Sequence, residues 1–288
     1  MRLLVPMFCL ATLSAARAQQ PDTARVAGDS GSARWSPMLL GTQMNFIHQR
    51  LIPFPATYDG PNSLQHGGDA KTSEAYGAYA GLRIVKGLEG YLDVEMIRGR
   101  GVSRTVGLAG ISNGDVIRQG SADLGDGPYV ARLFLRYTIG FAGPFDTLAR
   151  AADQLPGVVS ANRVEVMLGK FAITDLFDVN RYANSTRLQF MNWGLFQNTA
   201  WDYPADTRGY SNGIVASWVH PWWSLRAALM QMPSFANGNK FDSGLDRAHG
   251  SQAELTVRIP RLGSTVRALA YENEARMGRY AAALASAP

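Results

Sequence analysis

Stretches of about ten residues in which apolar and polar side chains strictly alternate recur along this chain, and they constrain its fold more than any other feature. Leu88, Gly90, Leu92, Val94 and Met96 form one series, and Glu89, Tyr91, Asp93 and Glu95 form the other. A strand points successive side chains to opposite faces, so the two series lie on two sides of a sheet. Between residues 75 and 85, Tyr76, Ala78, Ala80, Leu82 and Ile84 share one face. Tyr129, Ala131, Leu133, Leu135, Tyr137 and Ile139 alternate with Val130, Arg132, Phe134, Arg136 and Thr138. Val164, Val166 and Leu168 oppose Arg163, Glu165 and Met167, and Ala253, Leu255, Val257 and Ile259 oppose Gln252, Glu254, Thr256 and Arg258. Residues 38–47, 210–219, 222–231 and 264–273 bring the count to about nine strands.

After the first residues, no apolar run approaches the ~18 residues of a spanning helix. If such a chain crosses a membrane it must do so as a barrel, because lipid leaves no backbone polar group unpaired. The connections alternate in length as well. Lys86-Gly87, His220-Pro221 and 260–263 are tight turns, while 49–74, 99–127, 171–209 and 232–250 are long. Short turns at one end and long loops at the other match an outer-membrane barrel with strands of about ten residues. The 141–161 connection is the exception, longer than a turn at its end requires, and residues 146–155 are expected to form a helical turn. A secreted soluble β protein that binds glycans would alternate too, and is the competing class.

The start of the chain carries an export address. Met1-Arg2 is cationic, Leu3 to Leu13 is a short apolar core, and Ala16-Arg17-Ala18 has the small-x-small form of a cleavage site. Residues 1–18 therefore read as a signal peptide cut after Ala18, and 19–37 as a flexible leader. The single cysteine, Cys9, lies inside the signal, so neither disulfides nor thiol chemistry enter the mature fold. The formal charge of the 288 residues is +5, and Arg2 and Arg17 leave with the signal. With no Lys/Arg run, this is not a nucleic-acid binder.

Candidate functional residues come from the polar strand faces and from one loop. Arg132 and Arg136 share a polar face, as do Glu89, Asp93 and Glu95. Both signs lining one lumen suit neutral polar solutes, whereas an anion pore would favour cations alone. A sugar offers hydroxyls to charged side chains and C–H faces to aromatic rings. A generic wet porin interior explains the same residues equally well. The stretch 169–213 is rich in aromatic and charged residues and has no regular period. Within it Arg187, Trp193, Trp201, Asp202 and Arg208 are the contact candidates, with girdle or loop-core packing an equal reading for the two tryptophans. Tyr129, Tyr137, Trp222 and Trp223 lie at strand ends or on apolar faces and read as an interfacial girdle. Nothing points to an enzyme: the four histidines stand apart, and no hydrolase or metalloprotease motif occurs. Asp175, Asp178 and Asn180 miss the spacing of a calcium loop, so neither metal nor cofactor is expected.

Several segments together resemble one family. FPATYDGPNSL (54–64), GRGVSRTVGLAGISNGD (99–115), ARLFLRYTIG (131–140), GKFAITDLFDVNRYAN (169–184) and QFMNWGLFQNTAWDYPADTRGY (189–210) are similar to the carbohydrate-selective porins of Gram-negative outer membranes. They run in family order from about residue 38 to about residue 275. The resemblance implies an all-β fold, a transmembrane antiparallel outer-membrane β-barrel of sixteen strands with a constricted sugar channel. It implies passive diffusion of mono- or oligosaccharides into the periplasm, with outer-membrane lipid around the wall. A general, non-selective porin is the nearest alternative, and the oligomeric state stays open. As the third long connection, 171–209 is expected to fold inward and narrow the lumen, as that loop does in porins. With about nine of sixteen strands counted, the barrel over 38–275 is expected to be incomplete, followed by an irregular tail at 276–288. A miscounted strand inside 99–127 or 232–250 would make ten and allow a small closed barrel.

Overall fold

A computed structural model describes residues 36–60, 63–104, 125–180, 182–186, 188–236 and 238–286. Eleven strands run in chain order: β1 Met38–Leu51, β2 Asp69–Val85, β3 Leu88–Gly99, β4 Tyr129–Gly140, β5 Phe145–Leu148, β6 Gly157–Ser160, β7 Arg163–Phe171, β8 Ser211–Val219, β9 Trp223–Gln231, β10 His249–Ile259 and β11 Ser264–Glu274. Nine of them form one sheet in the order β1-β2-β3-β4-β7-β8-β9-β10-β11. Every neighbouring pair is antiparallel, as expected for strands joined by hairpins. β5 and β6 pair only with each other.

All nine strands expected from the alternation are present. The loop-side ends of β1, β2, β3, β7 and β10 run further than the apolar period does. β1 continues to Leu51, opposite Asp69 at the start of β2, so the first long connection shrinks to 52–68. Here polar residues such as Gln49, Arg50 and Lys71 hold the ladder, where no apolar face marks it. The tight turn between β2 and β3 depends on Gly87, whose φ is +81° and whose added Cβ would stand 2.7 Å from the Thr138 carbonyl oxygen. Among the described residues, β1 and β11 each pair with one neighbour and not with each other, so the sheet is open at both edges.

The two faces differ sharply. On β4, Leu133 is 57% exposed while the adjacent Phe134 is 3% exposed. Leu40, Leu82, Leu168, Leu225 and Leu255 join Leu133 on a bare, apolar outer face. A contiguous apolar surface of this extent suits lipid and not water. Trp218, Trp222 and Tyr137 stand on that outer face near the short turns, with Trp223 edge-on to Trp218 at 5.3 Å. The core lies on the inner face, where Leu39, Tyr91, Phe134, Met167, Phe171, Val215 and Met230 of the sheet meet Leu155, Ile173, Phe177 and Trp201 from two connections.

Three expectations are corrected. Residues 146–155 do not form a helical turn: β5 and β6 make a short hairpin within 141–161. Strict alternation fails in β4, where the pairing slips between Asp93↔Arg132 and Val94↔Val130. This bulge sets Ala131 beside Arg132 and sends Val130 outward, so Tyr129 turns inward and leaves the girdle. The tail is not wholly irregular, because Tyr280–Ala285 forms one short helix, α1. No described helix is long and apolar enough to cross a membrane. The signal peptide and most of the leader lie outside the described residues.

Candidate pore-lining site

The inner face of β3 and β4 carries the predicted charges, and their chemistry is paired. Glu89 accepts from Arg83 at 3.0 Å and from the Tyr91 hydroxyl at 2.7 Å. Glu95 Oε2 accepts from both the Tyr129 and Tyr210 hydroxyls, each at 2.8 Å. The Arg136 guanidinium lies over the Tyr91 ring, 5.0 Å from its centroid, and 5.6 Å from that of Phe134. Arg132 is the hub. It contacts Asp93 at 3.2 Å, Asp153 at 3.4 Å and Asp175 at 2.8 Å, with the Tyr210 ring 5.2 Å away. A charge this enclosed is stable only when paired, and Arg132 has three carboxylates in reach.

Asp93 and Glu95 face inward as the alternation predicts, but both are buried. The two connections that cover them are the reason. Hairpin 141–161 brings Asp153 to Arg132 and sets buried Leu155 under Tyr91, whose hydroxyl accepts the Leu155 N–H at 3.1 Å. The loop between β7 and β8 brings Asp175 to the same guanidinium. Neither acid was among the predicted contacts. Asp153 sits in a turn at φ +56°, and the only sign of it in the sequence is the excess length of its connection.

The β7–β8 loop holds itself together with side chains where a regular ladder is missing. Asn180 Oδ1 accepts from the N–H groups of Tyr182 at 2.9 Å and Ala183 at 2.7 Å. Gln197 Nε2 donates to the Thr174 carbonyl at 2.8 Å and to Asn184 Oδ1 at 3.1 Å. Asp178 Oδ2 accepts the Asn198 N–H at 2.6 Å, while its own N–H donates to Glu254 on β10 at 2.6 Å. These bonds satisfy backbone groups that would otherwise be orphaned inside the sheet's inner face. Further on, the Tyr271 hydroxyl of β11 donates to the Ala200 carbonyl at 2.8 Å, and the Asn273 amide donates to the Asp202 carbonyl. Burial pushes the Asp178 carboxyl above its ordinary value, with Glu254 adding to the shift and the Asn198 N–H opposing it. Burial likewise raises Asp206, against the N–H groups of Tyr210 and Arg208 and the nearby Lys170.

The predicted loop residues separate into distinct environments. Trp201 is 3% exposed, 6.2 Å from Phe177 and 5.4 Å from Tyr203 between ring centroids. Its ring has no face left for a solute, which favours the loop-core reading. Trp193 is half-buried and edge-on to Phe196 at 5.3 Å. The Asp202 side chain is exposed, and the Arg208 guanidinium lies 4.1 Å from the centroid of the Tyr129 ring. Arg187 lies outside the described residues. Among the described residues, no cluster of His, Cys, Asp or Glu is arranged to hold a metal ion.

An antiparallel sheet with a bare apolar outer face and a charged, loop-covered inner face is the wall of a porin-type membrane barrel. The family model of the carbohydrate-selective porin, OprB family, matches residues 79–286, and the chain belongs to that family. No curated protein matches the sequence. A solved structure, the high-pH form of Pseudomonas putida OprB, is 11% identical, covers 81% of this chain and 52% of its own, and superposes with a TM-score of 0.47. The chain thus spans about half the length of that relative.

Proposed function

We propose that this chain forms part of the wall and the constriction of an outer-membrane channel through which carbohydrates diffuse passively into the periplasm. The observation that carries the reading is the inner layer itself: guanidinium and carboxylate groups held in fixed pairs, packed among aromatic rings, on the protected face of a lipid-type sheet. Pairing leaves the layer without the net field that would select ions, and the exposed Asp202 with the half-buried Trp193 and Arg208 of the covering loop offer polar groups and a ring face to a sugar. No covalent chemistry or cofactor is part of this reading. Export follows from the signal peptide at 1–18, with cleavage after Ala18 and a mature chain beginning at Gln19. The unpaired N–H and C=O groups along β1 and β11 have no place in lipid, so closure of the wall needs strands beyond these nine.

The test is conductance of the purified full-length protein in a planar bilayer. Mono- and oligosaccharides should block the ion current, and an amino acid of similar size should not. Equal flux of both solutes would leave a general porin, and a protein soluble without detergent would leave the glycan-binding alternative. N-terminal sequencing that found Met1 intact would remove the export step. Within the loop, Trp193→Ala should weaken sugar block while heat-modifiable migration is kept. If block is unchanged, Trp193 is not a solute contact.

A further inference from the structure

Among the described residues, the loop between β7 and β8 shares the inner face with a second connection. Hairpin 141–161 leaves the short-turn end and runs the other way. Its Arg163 anchor holds Asp146 at 3.2 Å at the hairpin's base. Asp153 then reaches Arg132 on β4, Leu155 packs under Tyr91 on β3, and the Arg150 guanidinium donates to the Leu40 carbonyl on β1. Neighbouring strands are about 4.8 Å apart, so the reach from β4 to β1 is roughly 14 Å. The β7–β8 loop covers the other half of the sheet, bonding to Glu254 on β10 and to Tyr271 and Asn273 on β11. Its reach from β7 to β11 is roughly 19 Å by the same spacing. The two connections start from adjacent strands, diverge across the inner face and both reach the Arg132 side chain.

We propose that hairpin 141–161 is a strap that sets the channel aperture from the short-turn end, and that Arg132 is the positioning residue that locks it to the β7–β8 loop. This rests on the channel reading above. The strap and loop form a second layer over the sheet, so solute passes along their far side and not along the β3–β4 wall. This geometry accounts for the burial of both acids: Asp93 lies beside Arg132 at the junction, and Glu95 lies under Tyr129 and under Tyr210 at the loop's end. The β4 bulge complements it: Arg132 keeps the inward side it shares with Phe134 and Arg136, and the slipped register turns Tyr129 inward to Glu95. Arg132 suits the role because its planar fork bonds several carboxylates at once.

The test uses the full chain with Asp153→Cys and Asp175→Cys, whose only native cysteine, Cys9, lies in the expected signal peptide. The two thiols should form a disulfide in folded protein, read as a linked peptide by mass spectrometry. In parallel, a variant with residues 150–154 replaced by glycines should show a roughly twofold rise in single-channel conductance and admit a longer oligosaccharide in liposome swelling. Asp153→Ala, which keeps the hairpin, should shift both readouts the same way by less. A folded protein that forms no disulfide overturns the shared junction. A disulfide together with wild-type conductance and size limit in both variants overturns the aperture role. If the wild-type protein does not conduct at all, the channel reading fails and the aperture role with it, while the disulfide still reports the junction.

Discussion

Hairpin 141–161 and the β7–β8 loop do the same geometric job by different means. The hairpin is short, regular and laddered, and it places one apolar side chain, Leu155, in the inner core. The loop is irregular, keyed by Asn180, Asn184 and Gln197, and it places Ile173, Phe177 and Trp201 there. Burial of apolar area stabilises far more than any one exposed ion pair. The loop is therefore part of the fold's core, and the hairpin is an appendage docked on it by Tyr91 and Arg132. A conformational change in this inner layer should begin in the hairpin.

The largest expected effect tests that ordering. Phe177 is fully buried between the loop and the sheet, so Phe177→Ala should cost about 3–5 kcal/mol and undock the loop. Limited proteolysis and heat-modifiable migration would both report it. Trp201→Ala should act the same way, lowering stability more than it alters sugar block. A Phe177→Ala protein as heat-resistant as wild type would break the comparison. On the hairpin side the expected effect is smaller. Tyr91→Phe removes the acceptor of the buried Leu155 N–H and the donor to Glu89, a loss of about 1–3 kcal/mol. It should expose 149–156 to protease while leaving the β7–β8 loop protected. Simultaneous exposure of both segments would show that they undock as one unit.

The sheet was legible because its physical signal has period two. Inner and outer faces meet different solvents, so every residue along β3, β7, β8 or β10 reports its side. The bulge in β4 was not legible, because Tyr129 and Ala131 are as compatible with an apolar face as Leu133. Only the pairing with β3 shows the slip, and it moves Tyr129 from the presumed girdle to Glu95. The hairpin strands have four residues each, too few for alternation to stand out. In the loop, composition located an inward aromatic segment without telling buried Trp201 from half-buried Trp193. That distinction is made by Phe177 and Tyr203, far apart in sequence and adjacent only after folding.

The smallest expected effect is a pH dependence that separates the β7–β8 loop from its neighbour at 232–248. Asp178 and Asp206 both have folded values above the ordinary 3.8. A carboxyl with a raised folded pKa contributes stability that is fully present below its unfolded value and is lost as pH rises through the folded one. Docking of the β7–β8 loop should thus weaken as pH rises from 3.8 through the raised folded values, where both groups ionise against their buried surroundings. Asp242, in the 232–248 loop, is shifted the other way by the Gly244 N–H and by Arg276. Its contribution is present above 3.8 and disappears as pH falls through its lower folded value. Protease protection of 172–210 should therefore decline with rising pH in that window, while protection of 232–248 should hold or improve. Asp178→Asn and Asp206→Asn keep an acceptor for the same N–H groups and should flatten the first trend without touching the second. Protection of 172–210 that rose with pH would mean that the pull of Lys170 and the N–H groups outweighs burial at these carboxyls.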